Sequence, residues 1–304
     1  MSGCYVVFHK QLGDLLLLEP AIARLRRYHG VPVRIMTRTG HRSLVSLMEG
    51  AEYQGGFPIA WKKNLYCFDP LRKSAMRSFF APTLRRYCIL PEKREMEWYH
   101  PAMFRRVIVP ELGDQYVAKY FWRNTPVPSN ADFRTPRLKL PPSGWKPPQM
   151  GEESFILVNP TSGWRKKSWL AERWVETLKV LHEQHAIPFV MTSASAGWQI
   201  DHCREIADKL DGIVRILERT NLENFLWLCS RARLVLTVDG AASHLAQAFK
   251  APGVTLFGPT NLGNWHSPAK LNLAVQALEE NDGVRRMRNL SVSAVLEAIS
   301  SIKF

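Results

Sequence analysis

Phe155-Ile156-Leu157-Val158-Asn159-Pro160-Thr161-Ser162-Gly163-Trp164-Arg165-Lys166-Lys167-Ser168-Trp169 passes from an apolar run through a polar, glycine-containing turn into a helical pattern. A short unbroken apolar run bounded by turn residues reads as a strand buried on both faces. The alternation continues downstream. Strand patterns at residues 188–192, 213–217, 234–238 and 254–257 are interleaved with helical patterns at 169–184, 197–210, 222–229 and 241–250, and residues 292–302 read as a closing helix. Apolar strands alternating with helices predict an α/β fold whose parallel sheet is covered on both faces.

Upstream of this block, Pro126, Pro128, Pro136, Pro141, Pro142, Pro147 and Pro148 crowd one segment together with Ser143-Gly144. Proline removes backbone donors and fixes φ, so the segment predicts an extended linker between two domains. The N-terminal half opens as strand, glycine turn and helix: Tyr5-Val6-Val7-Phe8, then Gly13-Asp14, then helical spacing over 15–28 that ends near Gly30, and a second strand over 31–36. From about residue 61 to 106 the periodicity dissolves among Lys, Arg and aromatic residues, and helices and loops are expected. Two α/β halves joined by a linker place a ligand in a cleft between domains.

The chain has 304 residues, 46% hydrophobic and 22% charged, a globular composition that excludes wholesale disorder. Its five cysteines are odd in number and contain no C-x-x-C pair, which argues against a disulfide framework or structural zinc and fits a reducing compartment. Asp14 and Glu19 flank Leu15-Leu16-Leu17-Leu18, so this run does not read as a signal peptide, and a cytoplasmic protein is expected. Of the net charge of +14, nearly all lies in residues 1–150, which hold 24 Lys/Arg against 11 Asp/Glu; residues 151–304 hold 17 against 16. Such asymmetry means either an anionic partner for the first half or a solvated basic face. Nucleic acid is disfavoured as that partner, because no groove-reading motif or RNP-type strand is visible.

Three turns stand where strands of an α/β sheet should end, which is where such folds bind ligands. Leu12-Gly13-Asp14 offers close backbone approach at Gly13 and a carboxylate at Asp14 that serves either as a helix cap or as a catalytic base. Residues 159–169 offer the hydroxyls of Thr161 and Ser162, Gly163, and the cations Arg165, Lys166 and Lys167, a set suited to phosphate or to a polar surface loop. Asp239-Gly240-Ala241-Ala242-Ser243-His244 would expose free N–H groups on the first turn of a helix, enough to hold a diphosphate. His244 is either packed or functional. Phe257-Gly258-Pro259-Thr260 closes the next strand beside it, and Thr220 precedes the helix beginning near Leu222.

These segments resemble one family. Gly13-Asp14-Leu15-Leu16-Leu17-Leu18-Glu19-Pro20-Ala21 resembles the G-D-x-L-L-x-x-P-A opening of the bacterial lipopolysaccharide heptosyltransferases, glycosyltransferase family nine. Residues 160–169 resemble their P-T-S-x-W-x-x-K-x-W form, best known in the core heptosyltransferase III branch. Asp239 to Leu245 resembles D-[ST]-G-x-x-H-L, and residues 257–260 resemble F-G-P-T. The matches keep the family's order and spacing over most of the chain except about 50–150.

The resemblance implies a GT-B fold of two Rossmann-like domains facing a central cleft: 1–150 for the acceptor, 151–280 for the nucleotide sugar, and 281–304 packing back toward the first domain. It implies inverting transfer of a heptose from ADP-heptose to an anionic lipopolysaccharide core acceptor at the inner-membrane cytosolic face, with no cofactor and no metal. Asp14 would be the base, and Lys167 would stabilise the leaving diphosphate. Gly13, Thr161, Ser162, Thr220, Asp239, Gly240, Ala241, Ala242 and His244 would bind the donor. A patch including Lys62, Lys63, Arg72, Lys73 and Arg77, extended to Arg85 and Arg86, would bind the acceptor. The chain departs from the pattern at Gly240 and Ala241, where a positive φ would strain alanine, and at Gln199, where some relatives carry Glu. These departures leave open another nucleotide sugar or a non-catalytic relative.

Overall fold

The computed structural model describes residues 3–56, 64–81, 85–193, 197–267 and 269–304, and every count below refers to these. The chain divides into two compact units, Met1–Lys139 and Leu140–Phe304. In the first, β1 (Cys4–Val7), β2 (Val33–Met36), β3 (Ala51–Tyr53), β4 (Asn64–Cys67), β5 (Arg85–Ile89) and β6 (Arg106–Ile108) form one sheet. The strand order is β3-β2-β1-β4-β5-β6 and every pairing is parallel. This is a doubly wound sheet whose order reverses between β1 and β4. Its helices are α1 (Leu12–Leu17), α2 (Glu19–His29), α3 (Arg42–Leu47), α4 (Arg72–Phe80), α5 (Tyr99–Met103) and α6 (Val117–Asn124).

The helix expected over 15–28 is two helices. Pro20 has no N–H to give to the preceding turn, so the hydrogen-bond ladder breaks there and α2 restarts with proline in its first turn, where that donor is not needed. Gly30 ends α2 in the left-handed region, with φ 66°.

The stretch expected to hold only helices and loops supplies half of the sheet, β4, β5 and β6. Its strands are disguised by their composition. Tyr66 on β4 is buried and stacks on Tyr87 of β5 at 5.2 Å between centroids, while Arg85 and Arg86 begin β5 at the end of the sheet that meets water.

The proline-rich stretch carries neither helix nor strand from residue 125 to 142. It is extended, as expected, but not loose. Arg134 places two guanidinium nitrogens 2.6 Å from the two carboxylate oxygens of Glu19, and the Arg137 N–H reaches Glu19 at 3.1 Å. Glu19 is buried at the start of α2, so the tie fixes the segment to the first unit. The Lys139 N–H adds a bond to the Leu47 carbonyl. The unit boundary therefore falls after Lys139, ahead of the expected position near 150.

The second unit repeats the plan. β7 (Ile156–Asn159), β8 (Phe189–Thr192), β9 (Val214–Leu217), β10 (Leu234–Val238), β11 (Gly253–Phe257) and β12 (Asn272–Gln276) pair in parallel in the order β12-β11-β10-β7-β8-β9. Its helices are α7 (Ala171–His185), α8 (Gly197–Ala207), α9 (Leu222–Arg231), α10 (Ala241–Phe249), α11 (Leu262–Trp265) and α12 (Val292–Ser300). The switch lies between β7 and β10. The central strands β7 and β10 are apolar and fully buried along most of their length, which is why the alternation was readable here.

Within residues 281–304, α12 seats Val295 and Ile299, followed by Ile302, in the core of this unit beside Trp169, Trp174 and Leu178. The Trp169 indole N–H donates to the Leu290 carbonyl at 3.0 Å and fixes the approach of the helix.

The Glu19–Arg134 tie yields a stability prediction. Replacing Glu19 by Gln leaves Arg134 without its carboxylate, and because Arg134 is partly exposed the loss should be about 2–3 kcal/mol, at or below the range for a fully buried pair. Urea unfolding followed by circular dichroism should show the drop; a change below about 0.5 kcal/mol would mean the tie is ornamental.

Candidate active site

In the second unit the switch point brings together the turns singled out in the sequence. Asp239, directly after β10, is 2% exposed, and the Lys167 ammonium lies 2.6 Å from its Oδ2. Thr260, just past β11, donates its hydroxyl to the same oxygen at 2.7 Å. Lys167 thus comes from the turn after β7, the acid from the end of β10 and the hydroxyl from the end of β11, three adjacent strands of one sheet edge. A buried carboxylate with two such partners is a rigid anchor. The Lys167 charge is shared with Asp239, so an incoming phosphate would meet an oriented, partly neutralised cation.

Gly240 follows, with φ 178° and ψ −164°, extended backbone open to any residue. A Cβ at Gly240 would stand 3.2 Å from the Ser162 Cβ, so the missing side chain lets the Thr161–Ser162 turn approach closely. The strain expected at Ala241 does not arise: Ala241 is the first residue of α10, and it is not among the positive-φ residues. No side chain caps α10, so the N–H groups at its first turn, including that of Ala242, face the same edge as Lys167. The Ser243 hydroxyl donates to the Gly240 carbonyl at 2.8 Å. His244 is buried and its ring lies 6.3 Å from that of Trp265, a packed position. Gln199 donates to the Ser162 carbonyl at 2.6 Å, so the residue standing where some relatives carry an acid braces the turn. Thr220 stands apart from this group: it follows the edge strand β9, and its hydroxyl donates to the Leu217 carbonyl at 2.6 Å.

In the first unit, Gly13 and Asp14 lie in α1 beyond the end of β1. The Asp14 carboxylate accepts the Gln11 N–H at 3.2 Å, so it caps the helix while remaining half-buried at the sheet's ligand-binding edge. Sequence reasoning missed the group beside it. His9, Asp69 and Ser74 are each at most 2% exposed and converge at the β1/β4 switch. Asp69 accepts the His9 N–H at 2.6 Å and the Ser74 hydroxyl at 2.8 Å on Oδ2, and the Leu71 N–H at 2.9 Å on Oδ1. The His9 ring places Nδ1 2.8 Å from Ser74 Oγ and Nε2 2.9 Å from Arg77 Nη1. Arg38, beyond β2, donates to the His9 carbonyl at 2.7 Å and to the Gln11 side chain at 3.3 Å. A lone histidine after a strand and an aspartate before a proline gave no spacing signal; only the sheet order makes them neighbours.

The expected basic patch divides. Arg72, Lys73 and Arg77 stand on α4, which begins at the ligand-binding edge, whereas Arg85 and Arg86 begin β5 and so stand at the opposite edge of the parallel sheet. Arg86 there covers Phe79, 5.4 Å from its ring centroid. Lys62 and Lys63 lie outside the described residues.

Residues 129–292 match the family described as Glycosyltransferase family 9 (heptosyltransferase). The chain belongs to this family. It is 30% identical over 159 residues to lipopolysaccharide heptosyltransferase 1 of Escherichia coli K12, covering 51% of this chain and 46% of the relative. It is 28% identical over 137 residues to the lipopolysaccharide core heptosyltransferase OpsX of Haemophilus influenzae, covering 41% and 36%. The chain thus spans about half the length of the curated relatives it matches. Among solved structures, the E. coli ADP-heptose lps heptosyltransferase II superposes with a TM-score of 0.79 at 17% identity, covering 98% of each chain. The E. coli heptosyltransferase WaaC with ADP gives 0.75 at 17% identity, covering 98% and 99%. Likeness at this identity shows the fold, the GT-B pairing of two Rossmann-like units.

Burial, then the charges of Arg77, Lys73, Arg38 and His41, push the His9 imidazole down from its ordinary 6.5 to about 4. Burial pushes the Asp69 carboxyl up from 3.8 to about 6. Asp69, raised in the folded state, contributes stability that is full below 3.8 and lost as pH rises through 6; His9, depressed, contributes stability that is full above 6.5 and lost as pH falls through 4. The two slopes oppose between pH 6 and 4. Asp69→Asn should therefore show a stability deficit against the natural chain that widens as pH falls through this window, and His9→Asn one that narrows. Thermal unfolding at several pH values measures both gaps, and parallel curves would remove the assignment.

Proposed function

We propose that the chain transfers a heptose from ADP-heptose to a lipopolysaccharide core acceptor, with inversion at the anomeric carbon and without a metal ion. The observation that carries the reading is the Lys167–Asp239–Thr260 cluster at the same sheet edge as the N-terminus of α10, which no side chain caps, a set of anion-binding groups at a topological switch point. Membership of the family supports it, as does the solved relative with ADP-2-deoxy-2-fluoro heptose. In this reading the N–H groups of Ala242 and Ser243, with Lys167 and the hydroxyls of Thr161 and Ser162, hold the diphosphate. The Asp14 carboxylate takes the proton of the acceptor hydroxyl as its oxygen bonds to the sugar C1. The C1–O bond to diphosphate breaks on the opposite face, and ADP leaves with the bonding pair, its growing charge met by Lys167 and the α10 dipole. These fixed positive groups supply the charge a metal would bring. Among the described residues no group of three His, Cys, Asp or Glu side chains is placed to hold a metal.

The acceptor belongs to the first unit. Arg72, Lys73 and Arg77 are the groups proposed to meet its phosphates or acidic sugars, with Lys62 and Lys63 adding charge from the same half of the chain. Among the described residues no helix is long and apolar enough to cross a membrane. In this reading the lipid-borne acceptor is met at the cytosolic surface of the inner membrane. Trp98, 83% exposed, lies beside Tyr99, whose hydroxyl bonds the Pro70 carbonyl next to Leu71 and Arg72, an aromatic and a cation placed as at an anionic membrane interface.

Thermal-shift measurements with ADP-, UDP-, GDP- and CDP-linked sugars test the donor: stabilisation by the ADP compounds alone is expected, and preference for UDP or GDP redirects the reading. Asp14→Asn should then lower kcat about 10²–10⁴-fold while leaving the ADP-sugar shift intact. Unchanged kcat in this variant would remove Asp14 as the base.

A further inference from the structure

The protons of the buried cluster at the β1/β4 switch can be assigned one by one. An ionised Asp69 only accepts, so the single Ser74 hydroxyl proton points to Asp69 Oδ2, 2.8 Å away. Ser74 Oγ is then left as the acceptor for His9 Nδ1 at 2.8 Å, which must carry hydrogen. His9 Nε2 is left with its lone pair, and it faces Arg77 Nη1, a permanent donor, at 2.9 Å. Burial and three neighbouring cations keep the ring neutral, in agreement with the depressed His9 pKa. A carboxylate in this place would have cancelled the guanidinium charge. A neutral imidazole orients it and adds no negative charge of its own.

What surrounds His9 sharpens the point. Lys73 lies one helical turn before Arg77 on α4, and Arg38 reaches the His9 carbonyl from the loop after β2, so three cations gather on one residue. Asp69 is buried and committed to its three bonds, and the nearby Glu95 faces Lys10 at 3.3 Å. Holding like charges together costs free energy in the empty protein, an arrangement that an anion would relieve. The loop they surround is Lys10–Gln11, three residues before the Asp14 carboxylate.

We propose that His9 is a positioning residue: its neutral ring, locked by Ser74 and Asp69, holds Arg77 by a lone pair so that the guanidinium meets an anionic group, phosphate or carboxylate, of the sugar acceptor. The proposal rests on the acceptor reading given above. Arg77 makes the contact; His9 acts through it.

The tests use the full chain. Imidazole nitrogen NMR of His9 should report the neutral Nδ1–H tautomer from pH 7 to 8, where Asp69 is ionised. A charged ring or the Nε2–H tautomer overturns the proposal without reference to any activity. In steady-state transfer to phosphorylated lipopolysaccharide core, His9→Phe should raise the acceptor KM about tenfold, the scale of one charge-assisted hydrogen bond, with kcat and donor KM unchanged. His9→Asn, which keeps an acceptor and a donor, should recover part of the loss. Arg77→Met should raise the same KM, and the double variant H9F/R77M should be no worse than Arg77→Met alone. Additive losses, or a His9→Phe variant that is less heat-stable with an unchanged acceptor KM, reduce His9 to a structural link and overturn the proposal. So does an unchanged KM in Arg77→Met. Phosphatase-treated acceptor separates the two anions: the effect of His9→Phe disappears if phosphate is the group met, and persists if it is a carboxylate. A natural chain that transfers no heptose at all, with His9 in the expected tautomer, instead overturns the heptosyltransferase reading.

Discussion

In a doubly wound parallel sheet the chain leaves the first strand toward one face and the fourth toward the other, so the loops that follow them diverge and must be tied by something other than the ladder. Both units meet this constraint in the same way. In each, a buried aspartate just past the fourth strand of its sheet holds the segment following the first: Asp69 holds His9, and Asp239 holds Lys167. Asp69 is 0% exposed and Asp239 2%. Carboxylates so deeply placed are tolerable only with several donors each, and those donors are the residues that give each edge its chemistry.

The two ties differ in sign and so in use. Asp239 is met by a cation and a hydroxyl, which gives the second unit a compact anchor from which Lys167 and the first turn of α10 face outward. Asp69 is met by backbone N–H groups and a serine, and of the cations beyond it Arg77 is held by a neutral ring and Arg38 by the His9 carbonyl. One edge pairs its cation with a carboxylate, and the other gathers Arg38, Lys73 and Arg77 around a neutral ring. The charge asymmetry of the sequence therefore has a specific address, although part of it, at Arg85 and Arg86, sits at the far edge of the sheet.

How much of this could be read from the chain depended on burial. β7 and β10 are covered on both faces and nearly free of polar residues, so the second unit was legible strand by strand. β4 and β5 carry Asn64, Tyr66, Arg85, Arg86 and Tyr87; the Tyr66 hydroxyl meets the His29 ring and Arg86 bonds the Phe79 carbonyl, so polar residues are mixed into the strands and no hydropathy period survives. β12, with Asn272 and Gln276 at its ends, escaped notice for the same reason. The Gly13–Asp14, Thr161–Ser162 and Asp239–Gly240 segments were visible because site and turn coincide in sequence. His9, Arg38 and Asp69 were not, because the sheet order, and no local pattern, makes them one group. Gly240 shows the reverse limit: its meaning lies in the 3.2 Å approach to Ser162, a distance no single-chain pattern encodes.

Glu19 also imposes an order of events on synthesis. Its carboxylate is buried at the head of α2, yet its partner Arg134 lies 115 residues further along the chain. A nascent chain that has finished the strands of the first sheet still lacks the cation that this acid requires, and loop closure over such a span is slow. The first unit therefore gains the full stability of this tie only once the proline-rich segment has emerged from the ribosome. The stretch that looks like a spacer in the sequence is thus part of what completes the first unit.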